Sequence, residues 1–170
     1  MEYSPKGETK SSDIAVIGLF VLAVVSFGAA YTPFRFAWVM RAVGLFSLTA
    51  AVYIAVRYRL TRFVYLTGGD AGEEVFTVYR DRGRNKVAEC RVSLSYLRSV
   101  TRFADRDAMK DARQGLEIYD YAQSMTPRSL VLAVFESTAA VGRDLGIILE
   151  CDETFEQHLA TFLARNTDQM

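Results

Sequence analysis

The residues able to do chemistry are few and dispersed. His158 is the only histidine among 170 residues. Its neighbours Glu156 and Gln157 do not make a ligand set. A Ser–His–Asp relay needs a nucleophile on a strained elbow, and no GxSxG accompanies this histidine. Neither a GxxxxGK(S/T) phosphate loop nor an HExxH zinc helix occurs. Gly68-Gly69 fits a hairpin turn rather than a phosphate cradle. Cys90 and Cys151 form no CxxC pair, and one histidine cannot complete a zinc site with them. They read as reduced, mostly buried thiols of a reducing compartment. Asp105, Asp107 and Asp111 suggest a cation loop, but the glycine and closing glutamate of an EF-hand are missing. Arg106, Lys110 and Arg113 interleave with them, so this is read as an exposed mixed-charge loop or surface helix. Tyr119 and Tyr121 share a strand face with Glu117 and read as packing. No cofactor, no metal and no enzymatic activity are expected from this set.

The remaining candidates are basic. Arg57, Arg59 and Arg62 follow an apolar run at once, and Arg82, Arg84 and Lys86 sit on a turn beside Arg80 and Asp81. A cation near an anionic bilayer gains about 1 kcal/mol. These six residues are the candidate contacts for anionic lipid or a protein partner, against the plainer reading of a solvated turn. Nucleic acid is not an expected partner. Lys and Arg together number 20, as do Asp and Glu, so the basic excess that marks such proteins is absent.

The average charge hides a division that decides what positions these residues. Ile14 to Tyr31 reads IAVIGLFVLAVVSFGAAY, and the uncharged stretch continues through Phe34. A helix needs about 20 apolar residues to cross the hydrocarbon core, and a buried helix of a soluble protein rarely lacks a polar face over that length. A secretory signal would have a shorter apolar core and no second run behind it. Here a second run, Phe36 to Val56, follows almost at once. It carries only Arg41, close enough to its start to snorkel toward headgroups, with Trp38 and Tyr31 at the same end as interfacial aromatics. The short connection at residues 32–35 dictates an antiparallel transmembrane hairpin. Gly18, Ser26 and Ala30 on one helix and Ser47, Ala51 and Ala55 on the other are the expected close-packing positions. Lys6, Lys10, Arg57, Arg59 and Arg62 outnumber Arg35 and Arg41, so both termini are expected in the cytoplasm. Residues 1–13 are then a cytoplasmic tail, 14–56 the hairpin and 57–166 a soluble domain.

Beyond Arg57 the apolar period becomes two. RYRLTRFVYL, EEVFTVYR and VAECRV read as strands, separated by Thr67-Gly68-Gly69-Asp70 and Asp81-Arg82-Gly83-Arg84-Asn85. SLSYL at 93–97 reads as one helical turn. Further strands are expected near 99–104, 116–123, 129–137 and 145–151. Asp152 can cap a terminal helix, with Glu153 in its first turn. Phe155, Leu159, Phe162 and Leu163 then recur at helical spacing, over about 153–165, with a frayed end after it.

Seven strands and one terminal amphipathic helix resemble a pleckstrin-homology (PH) domain. With the hairpin at Ile14–Val56 in front, RYRLTRFVYL as first strand, the SLSYL turn and GIILECDETFEQHLATFL at the end, the chain resembles bacterial membrane proteins with a PH-like domain, the YcxB-like and related families. The resemblance implies an α+β membrane protein: a two-helix transmembrane hairpin, then a seven-stranded antiparallel PH-like barrel closed by a C-terminal helix. It implies a non-enzymatic module, tethered at the cell membrane and engaging a membrane or cytoplasmic protein, with anionic-lipid binding or an accessory role to a transporter as alternatives. Inositide-binding PH domains use basic residues on the first hairpin. Here that hairpin, LTGGDAGEEV, carries Asp70, Glu73 and Glu74 instead.

Overall fold

The computed structural model describes residues 1–5, 7, 9–32, 36–70, 73–83, 85–127, 129–137 and 142–167. The chain forms two compact units, one of Glu8–Thr61 and one of Met1–Gly7 with Arg62–Met170.

The first unit is a pair of helices, α1 (Lys10–Ala29) and α2 (Ala37–Ala55), the latter continued by a π-helical turn at Val56–Leu60. Both are long and apolar enough to cross a membrane. At 1.5 Å per residue the spans of 20 and 24 residues reach roughly 30 and 36 Å. The buried positions are small: Ser12, Ala23 and Ser26 on α1, Gly44, Ser47 and Ala51 on α2. With Ala30, and with the half-buried Val16, Leu19, Met40 and Ile54, they alternate in steps of three and four. That is the 3.5-residue seam of supercoiled helices. Gly18 is not part of it. It is exposed, and a Cβ there would meet nothing within 4 Å, because it lies about 100° around the helix from Leu19. Gly44 takes the close-approach role instead, since a Cβ on it would sit 3.1 Å from the Phe27 ring. Asp13 Oδ1 and Arg59 Nε, 3.2 Å apart, join the two helices at the open end of the hairpin.

RYRL was expected to open the first strand. It is helical instead, and the strand starts at Arg62. The apolar helix carries on through Leu60, and Thr61 Oγ1 donates to the Val56 carbonyl at 2.9 Å, satisfying one of its last acceptors. Arg57 and Arg59 fall in this last turn, where cations suit the helix dipole.

The second unit holds two four-stranded sheets. The first has the order β1 (Glu2–Tyr3), β2 (Arg62–Asp70), β3 (Glu73–Asp81), β4 (Lys86–Ser93), all antiparallel. The meander β2–β3–β4 is the one the alternation predicts, but Thr67-Gly68-Gly69-Asp70, expected as the turn, instead continues β2, with Gly68 and Gly69 paired to Val75 and Glu74. The N-terminal residues are not simply a tail: Glu2 and Tyr3 pair with Leu66 and Tyr65. The Tyr3 ring stacks on Phe155 at 5.0 Å.

After a 3-10 turn at Leu94–Tyr96, the second sheet contains β5 (Leu97–Phe103), β6 (Glu117–Asp120), β7 (Leu130–Phe135) and β8 (Leu145–Leu149), in the order β5-β7-β8-β6. The seven-stranded antiparallel barrel expected from the sequence is therefore replaced by two separate sheets, one containing a parallel pair, β6 with β8. The reason is visible in the side chains. β7 (LVLAVF) and β8 (LGIIL) are continuous apolar runs, as strands buried on both faces are. They take the centre, and the short polar β6 (EIYD) is left to the edge.

Both faces of this sheet are covered. Val131, Ala133, Phe135, Ile147 and Leu149 face a core shared with Phe63, Tyr65, Phe76 and Val78 of the first sheet. Leu130, Leu132 and Ile148 pack on the other face beneath Met109 and Ala122. The segment 105–115, expected to be an exposed mixed-charge loop or surface helix, delivers a fully buried methionine, Met109. Helix α3 (Glu153–Thr167) lays Phe155, Leu159 and Phe162 into the shared core. Its first turn is capped as expected: Phe155 N–H donates to Asp152 Oδ1 at 2.9 Å. It runs past 165, and Asn166 Nδ2 donates to the Leu94 carbonyl at 2.7 Å.

Candidate functional site

Two surfaces stand out. The first is the outside of the helix pair. Its fully buried residues are small, and many of its large apolar ones lie outside: Ile14 is 65% exposed, Phe46 77%, Trp38 71% and Tyr53 68%. A protein whose helices were solvated by water would show the reverse. Arg41 is exposed near the start of α2, and Arg35 lies outside the described residues.

The second is one end of the first sheet. Arg62 opens β2 and pairs in register with Asp81, which pairs in turn with Lys86. The turn between β3 and β4 is tight: Arg82 N–H donates to the Asn85 carbonyl at 3.2 Å, and Gly83 takes φ +82°, a conformation glycine adopts without steric cost. Asp81 Oδ1 accepts the Gly83 N–H at 2.8 Å. So Arg62, Arg82 and Lys86, three of the six basic candidates, share this end. Arg84 lies outside the described residues. Arg57 and Arg59 belong to the helical unit, where Arg57 lies over the Tyr58 ring and Arg59 pairs with Asp13.

The basic end differs from other arginine clusters in its pairing. Arg98 is held by Glu136 and Asp144, Arg102 by Glu153 and Glu156, and Arg106 by Asp120. Arg80 pairs with Glu89 at 2.7 Å, and Lys86 Nζ lies 3.7 Å from Glu2. Among the described residues, the guanidinium groups of Arg62 and Arg82 have no ion-pair partner, and both side chains are exposed. The opposite end of the sheet, where Asp70 pairs in register with Glu73, is acidic.

His158, Tyr119 and Tyr121, first considered for chemistry, make structural contacts, as do Glu150 and Tyr65. His158 Nε2 is 2.9 Å from Thr67 Oγ1, and its ring packs edge-on against Phe162 at 5.0 Å. Burial lowers its pKa. Glu150 accepts from Ser124 N–H at 2.6 Å and Ser124 Oγ at 2.7 Å. Tyr65 OH donates to the Tyr121 carbonyl at 2.8 Å, and burial raises its pKa. Tyr119 OH donates to Glu117 at 2.7 Å and stacks on Tyr121. Cys151 is buried and Cys90 half-buried, and both are free thiols. Burial pushes the Cys151 thiol up to about 12. Among the described residues, no group of three or more His, Cys, Asp or Glu is gathered as a metal site.

Sequence reasoning did not find an open groove of about 280 Å³ on the outer face of the first sheet, lined by Leu66, Gly68, Val75, Thr77, Tyr79 and Arg91. These positions lie on the sheet face opposite Tyr65, Phe76 and Val78, and Gly68 leaves the floor without a side chain. The chain matches no protein-family model, no curated protein and no solved structure.

Proposed function

We propose that this protein is a membrane-anchored, non-enzymatic interaction module: a bilayer-spanning helical hairpin that holds a PH-like two-sheet domain against the cytoplasmic face, where it engages a membrane or cytoplasmic protein. The observation that carries this reading is the inverted packing of the helices. Side chains such as Phe46 and Tyr53 point away from the partner helix while glycine, serine and alanine fill the seam. Hydrocarbon tails solvate such a surface without cost, and close approach through small residues is how helices associate there. Lys10, Arg57 and Arg59 flank the open end of the hairpin, which favours that end in the cytoplasm.

The PH-like description is supported by the antiparallel meander, the second sheet behind it and the C-terminal helix set into the core they share. The parallel β6–β8 pair departs from it. A binding role is supported by β4, an outer strand of the first sheet with most of its length exposed, and by the groove beside it. An outer strand of a sheet can accept an extended peptide.

The test is fractionation of the full-length chain expressed in cells. Resistance to alkaline carbonate and release by detergent are expected, with the Asn85 turn protected from protease added outside intact cells. Recovery in the soluble fraction without detergent would refute the anchor. Protease cleavage at that turn from outside would refute the orientation.

A further inference from the structure

We propose that the end of the first sheet formed by the start of β2 and the β3–β4 turn docks onto anionic glycerophospholipid headgroups, with Arg62 and Arg82 meeting the phosphates and Lys86 at the rim. This rests on the membrane-anchored reading and names a ligand for it.

Three independent observations converge on this end. The first is charge polarity along the strands. Arg62, Arg80, Arg82 and Lys86 gather at one end, and Asp70, Glu73 and Glu74 at the other. The second is availability. The carboxylates nearest the basic end are already engaged: Asp81 closes the turn through Gly83, and Glu89 holds Arg80. Arg62 and Arg82 are left exposed with no ion-pair partner among the described residues, in contrast to Arg98, Arg102 and Arg106. A planar guanidinium in that state suits bidentate contact with a phosphate. The third is connection. β2 starts at Arg62, and only Thr61 separates it from Leu60, the last helical residue. An anchor spanning the bilayer therefore delivers Arg62 to the headgroup layer. The ladder places Asp81 and Lys86 level with it. The acidic end is eight residues along β2, roughly 27 Å from Arg62. The occupant that fits all three is the anionic lipid of the bilayer that holds the helices.

The full-length chain carrying Cys90→Ser is labelled with a fluorophore through Asn85→Cys at the turn or, separately, through Glu73→Cys at the opposite end. It is reconstituted into nanodiscs containing headgroup-spin-labelled lipid, in phosphatidylcholine alone or with phosphatidylglycerol added. The expected result is quenching at 85 that deepens with phosphatidylglycerol and reverses with salt, and none at 73. Arg62→Gln and Arg82→Gln should each lower the phosphatidylglycerol-dependent docking equilibrium roughly fivefold. Equal quenching at both positions overturns the proposal, as does quenching at 85 that ignores phosphatidylglycerol or survives both substitutions. So does a label protected in native membranes but unquenched in the discs, which would assign the site to an acidic protein. A chain that stays in water and never enters the discs fails the anchored reading and takes this proposal with it. A chain that enters them but shows no lipid-dependent quenching overturns the docking alone.

Discussion

Replacing Phe46 by lysine distinguishes a lipid-solvated hairpin from a water-solvated one. Phe46 is 77% exposed on α2. It lies nine residues after Ala37 and fourteen before Leu60, about 14 and 21 Å from the two ends at 1.5 Å per residue. In a hydrocarbon core about 30 Å thick, that depth leaves a lysine little room to snorkel. Insertion changes from about −0.3 kcal/mol for phenylalanine to roughly +3 for lysine at a helix centre. The difference of about 3 kcal/mol lowers the inserted-to-excluded ratio roughly 150-fold. Trp38→Lys is the control. Trp38 is similarly exposed but lies at the second residue of α2, where a cation reaches the headgroups. The assay is the carbonate-resistant fraction of each variant, read beside an engineered glycosylation acceptor that reports insertion of α2. Phe46→Lys should be lost from the membrane, and Trp38→Lys should behave like the parent. On a water-exposed surface, Phe46→Lys would alter stability by no more than about 0.5 kcal/mol and would raise soluble yield. That second outcome would refute the lipid-facing assignment.

Gly44→Leu should separate the helices, because even a Cβ at this position approaches the Phe27 ring to 3.1 Å. A disulfide engineered across the seam should then form more slowly than in the parent. Phe155→Ala removes a fully buried ring that packs on Tyr3 and Tyr65; about 3–5 kcal/mol of destabilisation is expected, seen as a lower denaturation midpoint of the β unit in detergent. The Cys151 thiol, buried and pushed up to about 12, should resist maleimide at pH 8 until the chain is unfolded; prompt labelling in the native state would contradict the packing of the shared core. Burial lowers the pKa of His158 in the folded state, so the unfolded chain binds the proton more readily. Stability should be level above the ordinary histidine pKa of about 6.5 and should fall as pH drops from there through the lower folded value. His158→Gln should flatten that part of a stability–pH curve.

Strong local patterns made some elements legible. The two apolar runs, the β2–β3–β4 alternation, the SLSYL turn and the capped terminal helix each carry their period within one segment. What stayed hidden depends on distant partners. Tyr58 and Leu60 alternate like a strand, yet the helix before them continues, because an apolar helix end with arginines in its last turn meets no breaker before Thr61. Gly18 looked like a seam residue because spacing alone does not choose which face of a uniformly apolar helix meets its neighbour. The parallel β6–β8 pair could be suspected only from a comparison of compositions: β7 and β8 are apolar on both faces and β6 is not. Met109 is buried because the second sheet needs a cover on its far side, a demand absent from its own polar segment. Of the basic candidates, Arg62, Arg82 and Lys86 converge because strand register brings Arg62 to the sheet end that holds a turn twenty or more residues further along the chain. Arg57 and Arg59 do not join them, since the helix claims them.

The β unit is closed by a strand that precedes the helical pair in the chain. The β unit begins with Met1–Gly7 and resumes at Arg62, so the helical pair is an insertion within it rather than an appendage. β1 and β2, the strands on either side of the insertion, are hydrogen-bonded neighbours: Tyr3 pairs with Tyr65, and Thr67 N–H donates to the Met1 carbonyl at 2.8 Å. β1 runs antiparallel to β2 and so heads toward the end of the sheet from which β2 starts. Tyr3 secures β1 on the sheet, with its ring on Phe155 and its hydroxyl accepting the Asp152 N–H at 3.0 Å. Tyr3→Ala should release β1 while leaving β2 to β8 paired, and hydrogen exchange at residues 65–67 would then rise. Unchanged exchange at 65–67 would mean that β1 does not hold the sheet in this way.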